Sequence, residues 1–116
     1  MKLDMTTELM ASGLVVRLQG DVDMNTSRDI PCLLDKAFAQ ATAPFKALFI
    51  DLSGVRYMDS SGIATLVEIL QQCGKTGTRL RLCALSPSVR DVFELARLGS
   101  VFQIYPTLDE ASQHGD

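Results

Sequence analysis

An apolar run, Ala47-Leu48-Phe49-Ile50-Asp51-Leu52, leads through Met58-Asp59-Ser60-Ser61-Gly62 into a stretch with helical spacing of apolar residues. A strand that is apolar at nearly every position must be covered on both faces, so Phe45 to Leu52 predicts a central strand inside a layered α/β fold. In the stretch that follows, Ile63, Leu66, Val67, Leu70 and Cys73 form a stripe expected to be buried. Thr65, Glu68, Gln71 and Gln72 are expected to face outward, and Gly74 or Gly77 to end the helix.

The rest of the chain extends this pattern. Leu14 to Leu18 is β-like, and Met5 to Met10 is placed to pair with it as a hairpin closed near Ala11-Ser12-Gly13. Ile30, Leu33, Leu34, Ala37, Phe38 and Ala41 recur at helical spacing. The start of that helix has two readings. Thr26 with Asp29 resembles a capping box, but Pro31 would then remove a backbone bond, which moves the regular part nearer Asp29. Leu80, Leu82 and Cys83-Ala84-Leu85 predict a further strand. Ser86-Pro87 marks the start of a helix carrying Val89, Val92, Phe93 and Ala96 and ending at Gly99. Val101 to Tyr105 predicts a short last strand and Leu108 to Ala111 a short terminal helix. The expectation is one α/β domain over residues 1–116, with a mixed central sheet of about five strands, an N-terminal antiparallel hairpin and packed helices.

Composition narrows the function. With 116 residues, 47% hydrophobic and 22% charged, and a net charge of −3, the chain reads as one soluble globular domain. Lys and Arg are scattered, with only Arg79 and Arg81 close together, so no nucleic-acid partner is expected. The start, Met1-Lys2-Leu3-Asp4-Met5-Thr6, shows no secretory or lipidation signal, and no apolar run approaches the roughly 20 residues that span a bilayer. A cytoplasmic protein without direct membrane insertion is expected. Cys32, Cys73 and Cys83 form no CxxC pair and sit among apolar neighbours, as buried core residues in a reducing compartment do.

Catalytic chemistry finds little support. The single histidine, His114, lies near a C-terminus expected to fray, and zinc spacings, a phosphate-binding loop and GxGxxG are all missing. A hydrolase with Ser60 as nucleophile lacks an evident base. Asp21 and Asp23 suit turn formation and solvation better than acid–base work. Neither an enzyme nor a cofactor is implied. Asp-Ser-Ser-Gly instead puts hydroxyls at a helix N-terminus, where unpaired N–H groups and the macrodipole favour an anion such as a phosphoester. The same residues also serve as an ordinary helix cap, and one residue can be both cap and acceptor.

Gly20-Asp21-Val22-Asp23, Asp51-Leu52-Ser53-Gly54-Val55, Met58-Asp59-Ser60-Ser61-Gly62 and Ala84-Leu85-Ser86-Pro87-Ser88-Val89 occur in that order along the chain. In these segments, and across nearly its whole length, the sequence resembles a STAS domain of the bacterial anti-sigma factor antagonists, also called anti-anti-sigma factors. The resemblance implies partner switching in transcription regulation. The unphosphorylated protein binds an anti-sigma factor that is also a serine kinase, sigma factor is released, and phosphorylation ends the binding. It further implies Ser60 as acceptor, with Ser61 left as the alternative by spacing alone, and a metal-dependent serine/threonine phosphatase as the restoring partner. Asp21, Asp23, Asp59, Ser60, Ser61 and Gly62 are the implied partner-binding residues. Exposed Met or Leu on the helix starting near Ser60 would serve a partner or a second copy. STAS domains also occur as accessory subunits of membrane transport assemblies, including lipid-handling ABC-type complexes, and that role is the alternative.

Overall fold

The structure, a computed structural model, describes residues 3–113. His114 lies outside the described residues, as do Met1 and Lys2. The chain runs β1 (Asp4–Met10), β2 (Gly13–Gln19), α1 (Asp29–Gln40), β3 (Ala47–Gly54), α2 (Ser60–Thr76), β4 (Arg79–Cys83), α3 (Pro87–Leu95), β5 (Gln103–Tyr105) and α4 (Leu108–Gln113). The five strands lie in sequence order in one sheet. β1 pairs antiparallel with β2, and the other neighbours are parallel, so the sheet is mixed as expected.

Strand alternation divides the core in two. Leu48, Ile50 and Leu52 of β3 join Leu14, Val16 and Leu18 of β2 on one face, where Ile30, Leu34, Ile63, Leu66, Val89 and Phe93 of three helices cover them. Phe49 and Ala47 point to the other face with Val15 and Cys83, and Ala111 of α4 packs there. Parallel crossovers of one hand that step steadily in one direction place every connecting helix on the same side, which leaves the far side to the terminal helix. That is why β3 reads as continuously apolar.

For the start of α1 and the end of α2 the structure selects one of the two readings the sequence left open, and several other details differ from the sequence reading. α1 starts at Asp29, after a run of turns, and Arg28 at its N-cap makes no side-chain cap bond. Pro31 therefore falls in the first turn, where a missing N–H costs nothing. Cys32 is exposed rather than buried, because it sits two residues beyond Ile30, on the outward side of the helix. Phe38 is 38% exposed and packs against Phe45 with ring centroids 5.5 Å apart. Phe45 and Lys46 precede β3 rather than starting it. In α2 the buried stripe is Ile63, Thr65, Leu66, Ile69 and Cys73, rotated from the expected one, with Val67 and Leu70 only partly buried. Gly77 ends that helix in the left-handed region at φ 73°, which a residue without Cβ adopts freely. β4 stops at Cys83 because Ala84 turns to φ 60°. α3 stops at Leu95, short of Gly99. Arg97 at φ 59° does the work of the terminal glycine, and the Leu98 N–H donates to the Phe93 carbonyl at 3.0 Å.

Candidate functional site

The carboxyl ends of β2, β3 and β4 share one edge of the sheet, so the loops leaving them meet there, the usual location of sites in α/β sheets. All four sequence segments that carry the resemblance end at this edge. A bridge between Val22 and Met58 joins the first two loops. The Val22 N–H donates to the Tyr57 carbonyl at 2.9 Å, and the Asp59 N–H donates to the Val22 carbonyl at 3.1 Å. The third loop is fastened by hydroxyls. Ser86 donates to the Val55 carbonyl at 3.3 Å, and Ser88 donates to the Arg56 carbonyl at 2.7 Å.

The loop after β2 is held in shape by its own side chains. Asp23 Oδ1 accepts from the Asn25 and Thr26 N–H groups at 2.8 and 3.1 Å, and the Thr26 hydroxyl donates to the Asp21 carbonyl at 2.8 Å. Asp23 is thus a turn former, a role its residue type suggests. The carboxylate of Asp21, half-buried, makes no hydrogen bond to a described residue.

Asp59 caps α2 from an extended backbone, and its Oδ1 accepts from the Ser61 N–H at 2.9 Å and from the Ser61 hydroxyl. The Ser61 hydroxyl holds the Asp59 carboxyl below the usual carboxylate range. Partial burial opposes that shift, and the N–H groups of Ser61, Gly62 and Met24 reinforce it. Thr65, one turn on, donates its hydroxyl to the Ser61 carbonyl at 3.0 Å, which accounts for a buried threonine where an outward one was expected.

Ser60 differs from its neighbour. It is the first residue of α2, it is exposed, and its hydroxyl makes no hydrogen bond to a described residue. Gly62 is buried beneath it. A Cβ there would lie 2.6 Å from Val22 Cγ1 and 2.7 Å from Met58 Cγ, so only glycine lets the first turn of α2 press against the bridged loops. Asp59, Ser60, Ser61 and Gly62 are one unit, and the loop bearing Asp21 and Asp23 is stapled beside it.

Sequence reasoning missed the residues that frame this unit. Thr26 three positions after Asp23, and Ser88 after Ser86-Pro87, were legible as local hydroxyl patterns, but their partners are remote or sit across a turn. The exposed apolar groups at this edge are Met24, at 70%, and Tyr57, at 52%. Both lie on the flanking loops rather than on α2. Among the described residues no group of His, Cys, Asp and Glu could hold a metal ion, and no helix is long and apolar enough to cross a membrane.

Known proteins match the fold. The STAS domain family model matches residues 4–111. A Mycobacterium tuberculosis protein provisionally named an anti-anti-sigma factor is 32% identical over 95% of this chain and 74% of its own length. An anti-sigma factor antagonist from Mycobacterium paratuberculosis superposes with a TM-score of 0.80 at 29% identity, covering 94% of this chain and 90% of that one. The anti-sigma factor antagonist SpoIIAA in its unphosphorylated form gives 0.73 at 25% identity, covering 93% and 92%. The chain belongs to the STAS domain family, alongside its anti-sigma factor antagonists.

Proposed function

We propose that this protein is an anti-sigma factor antagonist whose binding is switched off by phosphorylation of Ser60. In the unphosphorylated form the edge around Asp59 and Ser60 docks on an anti-sigma factor that is a serine kinase, and sigma factor is released. The kinase then modifies Ser60, and a metal-dependent serine/threonine phosphatase restores the binding form. The protein itself catalyses nothing in this cycle and works in the cytoplasm. ATP, magnesium and the phosphatase metals belong to its partners.

The observation that carries the reading is the contrast between adjacent serines. Ser61 has its hydroxyl committed to Asp59, while Ser60 presents a free hydroxyl to solvent. A kinase needs an acceptor that reaches its γ-phosphate without first breaking a cap. A phosphoserine at Ser60 would add about −1.5 to −2 charges beside Asp59 and the Asp21 and Asp23 loop. Crowding like charges at an interface costs several kcal/mol, and a hundredfold loss of affinity needs only about 2.8 kcal/mol. The helix N-terminus meanwhile favours the phosphate, so the domain keeps its fold.

Affinity capture from the native cell lysate tests the proposal, with the protein as bait and Mg-ADP or Mg-ATP present. Capture of a kinase with ADP, lost with ATP as phosphate appears on Ser60, is the expected result. Constitutive capture of a transport ATPase with Ser60 unmodified would select the transport-subunit role instead.

A further inference from the structure

A second feature lies away from Ser60, at α1 and the C-terminal half of α2. Between them is a groove of about 630 Å³, within the range of small-molecule sites, ~300–1,000 Å³. Its floor is apolar, formed by Leu34, Ile69 and Cys73, all buried. Burial raises the Cys73 thiol, so the floor carries no charge at neutral pH. One wall is the tilted Phe38 and Phe45 pair, with Phe38 more than a third exposed although it lies on a core-facing helix.

The charged residues that line this groove are of one sign. Asp35 from α1 and Glu68 from α2 line it, and no Lys or Arg does. Neither carboxylate is in an ion pair among the described residues. Aromatic faces together with carboxylates above an apolar floor recognise an organic cation, since ring quadrupole and anion attract the same positive charge while the apolar body is desolvated.

We infer that the α1–α2 groove is a binding site for a small organic amine with an apolar body, seated over Leu34, Ile69 and Cys73 and against the wall formed by the Phe38 and Phe45 pair, with its ammonium towards Asp35 and Glu68. The site shares α2 with Ser60 but none of the residues of the proposed switch, and it stands independently of that switch.

The test uses 2-phenylethylamine as probe and 2-phenylethanol as its uncharged counterpart, each titrated into isotopically labelled protein and followed by amide chemical shifts. The amine is expected to shift resonances of α1 and the C-terminal half of α2, and to bind about tenfold more tightly than the alcohol. The Asp35→Asn/Glu68→Gln double variant, altered only at exposed positions, should keep its thermal unfolding and lose that preference. No shifts at millimolar amine, shifts confined to another surface, equal binding of both probes, or an unchanged preference in the double variant would each overturn the inference.

Discussion

Two helices of this protein start in similar ways and end up with different surfaces. α3 opens at Ser86-Pro87-Ser88 and α2 at Asp59-Ser60-Ser61, each directly after a central parallel strand and its loop. At α3 both hydroxyls are used. Ser86 accepts from the Val89 N–H at 3.4 Å and donates to Val55, while Ser88 donates to Arg56. At α2 the carboxylate of Asp59 and the hydroxyl of Ser61 satisfy each other, and Ser60 is left over. Serine at a helix start is ordinarily structural. Here the structural work is complete without Ser60, the one hydroxyl of the two starts that makes no hydrogen bond to a described residue.

The largest expected effect comes from removing that distinction. Ser60→Asp, which only approximates a phosphate, should weaken binding to the kinase about a hundredfold, or ~2.8 kcal/mol. Urea unfolding should shift by no more than ~0.5 kcal/mol, since an exposed N1 position tolerates an acid. Titration calorimetry and a denaturation curve on the same preparation check both halves.

Gly62→Ala probes the packing below the site. The added methyl meets Val22 and Met58, so a loss of about 1–3 kcal/mol in stability is expected, despite the better helix propensity of alanine. An unchanged unfolding midpoint would show that the bridged loops can move away from α2.

Asp59→Ala should cost about 1 kcal/mol through the lost cap. The pH dependence fixes the sign. Because the Asp59 carboxyl titrates below its ordinary range in the folded protein, its contribution is present above the unfolded value near pH 4, ~3.9, and is lost as pH falls through the lower folded value. The variant should lose least relative to wild type in acid, so its stability curve flattens below about pH 4. Ser88→Ala, removing one exposed hydrogen bond across the loops, should cost at most ~1 kcal/mol. Its effect on partner affinity should be small beside that of Ser60→Asp.

Much of this molecule is legible in its sequence because the signals are local. The largely apolar run of β3 and the Ser86-Pro87 start of α3 act within a few residues, the first placing its strand to within two residues and the second falling where the pattern predicts, while Gly77 is one of the two glycines the pattern offered for the end of α2. The misses share a physical cause. Cys32 has apolar neighbours in sequence, but its direction from the helix axis decides exposure. Thr65 is buried because Ser61 offers a carbonyl for its hydroxyl. Arg97 adopts a glycine-like conformation where Phe93 fixes the chain beneath it. At the site, the residue types of Asp59 and Ser60 were readable, but not which serine the cap would consume. That depends on the Oδ1 contact of Asp59, and adjacent hydroxyls look alike in one dimension. The Val22 and Met58 bridge is a pairing across more than thirty residues that no local pattern encodes.

The division of labour between the two serines is tested most directly by site-resolved phosphorylation. Wild type, Ser60→Ala and Ser61→Ala would each be incubated with Mg-ATP and the kinase captured on the wild-type protein, and the phosphate located by mass spectrometry. The account predicts phosphate on Ser60 in wild type and Ser61→Ala, and none in Ser60→Ala. Phosphate on Ser61 in wild type, or undiminished phosphorylation of Ser60→Ala, would contradict it.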